Sequence, residues 1–155
     1  MPVEEAAIMV TLGQAVRNAV EVERSAGRFY KLLAESTSDT QARQFLSTLA
    51  AQEEQHALAI ERMGAKLVAG ALPQKAEDGM ELVESAPDWR FLDNLSFADA
   101  LSVAKEAESH AALYYDALAD VVDGPVSEFF SGLARAEEQH VRDVESMIAK
   151  LPRAR

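Results

Sequence analysis

The sequence predicts an all-α four-helix bundle, built as two antiparallel hairpins joined by a long crossover, and three observations predict it. Helix formers dominate, with 28 alanines against seven glycines and five prolines in 155 residues, and the breakers fall mostly outside the long periodic segments. Four segments carry apolar residues at the 3-4 spacing of a single helix face. Two of the three connections are turns of about two or three residues, whereas the middle one spans about 31.

The first helix is expected over about 11–36, where Thr11 with Gln14 offers a capping-box start. Its stripe is Val16, Ala19, Glu23, Ala26, Tyr30 and Leu33. The second is expected over about 39–63, with Gly64 as a natural C-terminal stop and Leu46, Leu49, Glu53, His56, Ile60 and Met63 as its stripe. Residues of about 64–95, holding Gly70, Pro73, Gly79 and Pro87, lack sustained periodicity and form the crossover. A helix of ~25 residues is roughly 37 Å long, so this connection can run from one end of the bundle to the other. Trp89, Phe91 and Leu92 are expected to pin it there. The third helix is expected over about 96–122, starting near Ser96 with Asp99 in its first turn and ending at Asp123-Gly124. Its stripe is Leu101, Ala104, Glu108, Ala111, Tyr115 and Leu118. Pro125 suits the first turn of the fourth, about 125–151, whose stripe is Phe130, Leu133, Glu137, His140, Val144 and Met147.

Composition narrows the function. With 26 acidic against 15 basic side chains and a net charge of −11, the chain lacks the basic surface that a nucleic-acid binder needs. No apolar run approaches the roughly 18 residues that span a bilayer, so no membrane segment is expected. Zero cysteine excludes disulfide frameworks, thiolate zinc sites, Cys-ligated iron–sulfur clusters and thiol catalysis. The N-terminal stretch MPVEEAAIMV carries two glutamates where a secretory signal would be positive. The cytoplasm is the expected compartment. What remains is chemistry by Glu, Asp, His or Tyr.

The residues that break the apolar stripes are the informative ones. Glu53-Glu54-Gln55-His56 recurs 84 residues later as Glu137-Glu138-Gln139-His140. Glu23 precedes Tyr30 by seven, as Glu108 precedes Tyr115. The two halves are thus copies of one hairpin, and an approximate two-fold axis brings four glutamates and two histidines to one level. Four carboxylates in a low-dielectric core cannot all stay ionised without compensating charge, and no Lys or Arg lies on the stripes. Two divalent cations would balance them. Four carboxylates and two imidazoles suit two iron or manganese ions with open positions for O2 or peroxide. Within Glu-x-x-His, both side chains reach one centre from adjacent turns. Glu54, Gln55, Glu138, Gln139, Glu106 and His110 are expected on outer, solvated faces.

Glu23-x6-Tyr30, Glu53-x-x-His56, Glu108-x6-Tyr115 and Glu137-x-x-His140 resemble the ferritin-like superfamily, most closely the diiron domain of rubrerythrin-type proteins, over about residues 11–150. The resemblance implies a centre of two iron ions, with manganese or zinc as substitutes. It further implies that Glu53 and Glu137 bridge both ions, that Glu23 and His56 complete one, and that Glu108 and His140 complete the other. Tyr30 and Tyr115 are similar to family tyrosines that hydrogen-bond a terminal glutamate of the opposite hairpin. The implied activity is oxidation of Fe(II) by O2 or hydrogen peroxide. The alternatives are peroxide reduction with an external electron donor, or a non-enzymatic iron-binding bundle. Rubrerythrins usually append a rubredoxin-like module with four cysteines, and this chain has none. Many also carry a further carboxylate one turn beyond the third-helix ligand, where this chain has Ala111, or His110 if that helix bulges. Cage-forming ferritins usually add a short fifth helix, whereas only Pro152–Arg155 follows Leu151 here. A homodimer is therefore expected, with hairpin exchange through the crossover as one route to it.

Overall fold

The described residues form four helices: α1 (Val3–Glu35), α2 (Thr40–Leu67), α3 (Phe97–Asp120) and α4 (Gly124–Lys150). The computed structural model describes residues 3–67, 96–120 and 122–151, and the side chains of 15–64, 96–120 and 122–151. No strand occurs among the described residues. α1 packs along α2 and α3 along α4, and the two hairpins meet through α1 with α3 and α2 with α4. The fold is the all-α bundle of two hairpins that the stripes demand. No described helix is long and apolar enough to cross a membrane.

Local chemistry sets the helix starts. The Ala42 N–H donates to Asp39 Oδ2 at 2.9 Å, and the Arg43 N–H donates to the Asp39 carbonyl at 2.9 Å. Asp39 thus caps α2. Ser96 does the same for α3, its Oγ accepting from the Asp99 N–H at 3.0 Å. α4 uses backbone conformation instead. Asp123 is extended and makes no side-chain cap, Gly124 adopts φ +65°, and Pro125 follows in the first turn.

Two boundaries differ from the sequence reading. α1 begins at Val3 rather than near Thr11, because Glu4, Glu5, Ala6 and Ala7 are good helix formers that carry the helix past the capping-box pattern. α2 runs through Gly64 to Leu67. Gly64 is buried, so packing outweighs its backbone-entropy cost of roughly 0.5–1 kcal/mol. Trp89, Phe91, Leu92 and the tail from Pro152 lie outside the described residues.

The core has two apolar layers. Val16, Ala19, Ile60, Leu118, Phe130 and Leu133 form one, closed by Tyr114, whose hydroxyl donates to the Ala15 carbonyl at 2.6 Å. Leu33, Leu46, Leu49, Leu101, Ala104 and Val144 form the other. Fully burying each Leu or Phe contributes about 1.5–3 kcal/mol. Between the layers, along the same stripes, lie the charged residues.

Candidate metal centre

Glu23, Glu53, Glu108 and Glu137 have no exposed surface, and His140 has 4%. Each occupies a stripe position whose neighbours one turn away are apolar and buried, so the helix period alone drives these side chains inward. The structure brings all six sequence-predicted ligand residues together. His56 Nδ1 lies 2.8 Å from Glu23 Oε1, 3.1 Å from Glu137 Oε1 and 3.6 Å from Glu53 Oε1. His140 Nδ1 lies 2.7 Å from Glu108 Oε2, 3.0 Å from Glu53 Oε1 and 3.8 Å from Glu137 Oε2. The two imidazole rings stack with centroids 5.7 Å apart.

The donor atoms fall into two overlapping groups, Glu23–Glu53–His56–Glu137 and Glu53–Glu108–Glu137–His140, each with its atoms within 4.8 Å of one another. Glu53 and Glu137 belong to both. That sharing follows from the repeat: the Glu-x-x-His helices α2 and α4 face each other, and each supplies one carboxylate between the two histidines.

The electrostatics are those of crowded acids under low dielectric. Burial pushes the Glu23 and Glu108 carboxyls well above the usual carboxylate range, and the charges of Glu137 and Glu53 push the same way. Burial and Glu137 raise Glu53 to about 7 against the opposing pull of His140 and His56. Burial acts on Glu137 in the same sense, but the imidazoles of His140 and His56 outweigh it and hold the carboxyl at about 2. Desolvation would lower His56, yet Glu137 and Glu23 raise it to about 10. His140 is raised likewise by Glu108, Glu137 and Glu53, against its burial. Imidazolium and neutral carboxyl groups thus balance the cluster with protons.

Protons do not satisfy every atom. Glu23 Oε2, both oxygens of Glu53, Glu108 Oε1 and Glu137 Oε2 are buried with no hydrogen-bond partner among the described residues. Glu53 Oε1 approaches His140 as a charge pair without hydrogen-bond alignment. Such orphaned acceptors are costly in a core. Hard oxygen donors with two imidazoles, in two overlapping groups, are a donor set that suits a divalent cation such as iron or manganese. The residues fit a metal site.

Around the cluster, burial raises the pKa of Tyr30 first and the Glu108 charge second, and of Tyr115 first by burial and second by Glu23. The Glu108 and Glu23 charges that act on them come in each case from the opposite hairpin. The Tyr115 hydroxyl itself is buried without a hydrogen-bond partner among the described residues. Glu106 and His110 are exposed and outside both donor groups, and Ala111 is buried. Glu54, Gln55, Glu138 and Gln139 are exposed. One residue escaped the sequence reading. Gln52 Oε1 accepts a hydrogen bond from His140 Nε2 at 2.9 Å. The available signal was the residue before each Glu-Glu-Gln-His, which is Gln52 in one half and Ala136 in the other.

Comparison with known proteins agrees with the fold. A family model described as Rubrerythrin matches residues 14–98 and 99–154. Among solved structures, a hypothetical protein from Pyrococcus furiosus is similar in fold, with a TM-score of 0.72 and 21% sequence identity. That alignment covers 96% of this chain and 94% of the other. A search of curated proteins gives no significant match.

Proposed function

The chain belongs to the rubrerythrin family, and on that premise we propose that it is a non-haem diiron-binding protein that oxidises Fe(II) with O2 or hydrogen peroxide. The observation that carries this reading is the pair of donor groups sharing Glu53 and Glu137. Those two carboxylates would bridge, Glu23 with His56 would hold one ion, and Glu108 with His140 the other. Two ferrous ions held by these residues would supply two electrons, enough with two protons to reduce one hydrogen peroxide to two water molecules.

The protein's own part is to bind, orient and exclude water. The two apolar layers keep solvent from the carboxylates, so charge on them acts at low dielectric. Glu23 and Glu108, whose raised pKa values favour the protonated form, release protons when a cation takes their place. The Tyr115 hydroxyl, buried and within the influence of the Glu23 charge, would orient that carboxylate by donating to it. His56 has 20% of its side chain exposed, enough for a small oxidant to reach the cluster beside it.

Anaerobic loading with Fe(II), followed by mixing with O2 or with hydrogen peroxide, tests the proposal. Oxidation much faster than that of free Fe(II) at the same pH supports it. Repeated peroxide turnover only when a reductase and its electron donor are added would assign peroxide reduction instead. Oxidation no faster than free Fe(II) with either oxidant would leave a binding bundle and overturn the oxidase reading.

A further inference from the structure

The repeat makes the two halves of the cluster near-copies, yet their histidines are held differently. His140 is gripped at both ring nitrogens. Its Nδ1 faces Glu108 at 2.7 Å, and its Nε2–H donates across the bundle to Gln52 Oε1 at 2.9 Å. An acceptor at Nε2 keeps the proton on that nitrogen and leaves the Nδ1 lone pair to a cation. His56 has no such partner at Nε2 among the described residues. The position equivalent to Gln52, 84 residues on, is Ala136, and a methyl group accepts nothing.

Access differs in the same direction. His56 lines an open surface cleft of about 470 Å³ together with Gln44, Thr48, Gln52 and Gln55. Its side chain is 20% exposed against 6% for His140. One half of the cluster is braced and closed, the other unbraced and open to solvent.

We propose that Gln52 is a positioning residue for His140, and that it makes the two cation sites unequal. The Glu53–Glu108–Glu137–His140 half fills first and more tightly. The Glu23–Glu53–Glu137–His56 half fills second and exchanges through the cleft. This inference rests on the metal-binding reading above and adds an order to it.

Anaerobic calorimetric titration of the whole chain with Co(II), for the wild type, Gln52→Leu and Gln52→Glu, tests it. Gln52 is exposed, so neither substitution disturbs the core, and a thermal melt of each metal-free variant checks this. The wild type is expected to take up Co(II) in two resolved steps. Gln52→Leu keeps the shape but not the acceptor, and should weaken the tighter step about ten- to a hundredfold, merging the two. Gln52→Glu can only accept at this position and should keep them separate. Proton NMR of the Co(II)-loaded protein supplies a signature that a merely structural role would not move. A slowly exchanging, hyperfine-shifted imidazole N–H should appear in the wild type and Gln52→Glu, and be lost to exchange in Gln52→Leu. Identical steps and a retained N–H signal in Gln52→Leu would overturn this inference alone. No Co(II) uptake by the wild type would overturn the metal reading, and this inference with it.

Discussion

Glu53 and Glu137 differ from Glu23 and Glu108 in one respect that experiment can reach, since the first two belong to both donor groups and the others to one each. Replacing Glu23 or Glu108 with Gln keeps the shape and removes one terminal charge. Either variant is therefore expected to retain one tightly bound cation per chain and lose or weaken the other, read by metal analysis after dialysis. Loss of both from Glu23→Gln would contradict the terminal role. These residues were legible in the sequence because each breaks an apolar stripe at a position that a helix must bury. Gln52 was not legible. It is exposed, off the stripe, and gains its meaning only when α4 brings His140 across from the other hairpin. Tyr114 escaped for a similar reason, since its partner is the backbone carbonyl of Ala15, which no side-chain pattern announces.

The helices themselves stand on ordinary capping and packing. Asp39→Ala removes the acceptor of the Ala42 N–H and should cost ~1 kcal/mol. Gly124 is the one described glycine with a left-handed backbone, at φ +65°. Its conversion to Ala should cost roughly 1–2 kcal/mol from backbone strain, although a Cβ there would meet nothing within 4 Å. Urea melts of the metal-free variants measure both losses, and an unchanged midpoint for Gly124→Ala would show that the turn relaxes freely. The starts of α2 and α3 were readable because Asp39 and Ser96 cap through local hydrogen bonds. The extension of α2 beyond Gly64 was not, because burial of that glycine is a tertiary fact. Propensity likewise carried α1 past Thr11, where a local motif suggested a start.

For the molecule as a whole, the cluster links stability to protons and to metal. Glu23, Glu53 and Glu108 bind protons more tightly in the fold than their usual value of 4.5 allows, and His56 more tightly than 6.5. The folded state then holds more protons than the unfolded one, so the stability these groups contribute is present at low pH and lost as pH rises. Glu137, held at about 2, acts oppositely, its contribution disappearing only as pH falls below about 4.5 toward 2. Metal-free protein should therefore melt at progressively lower temperature as pH increases from about 5 through 7 and on toward 10. Metal-loaded protein should melt higher at neutral pH, and its formation should release protons, detectable by calorimetry in buffers of different ionisation heat. A pH-independent difference between the two forms would contradict the linkage. On assembly, we expect a homodimer, and light scattering of the loaded protein should give about twice the 16.9 kDa chain mass; a 24-chain shell would refute that expectation. The proposed chemistry depends on two cations sharing Glu53 and Glu137. Metal analysis of protein loaded anaerobically with Fe(II) and freed of excess tests it most directly, comparing the wild type with the Glu53→Ala/Glu137→Ala variant. Two iron ions per wild-type chain and none in the double variant are expected, whereas two fully occupied ions in that variant would rule out the shared carboxylates.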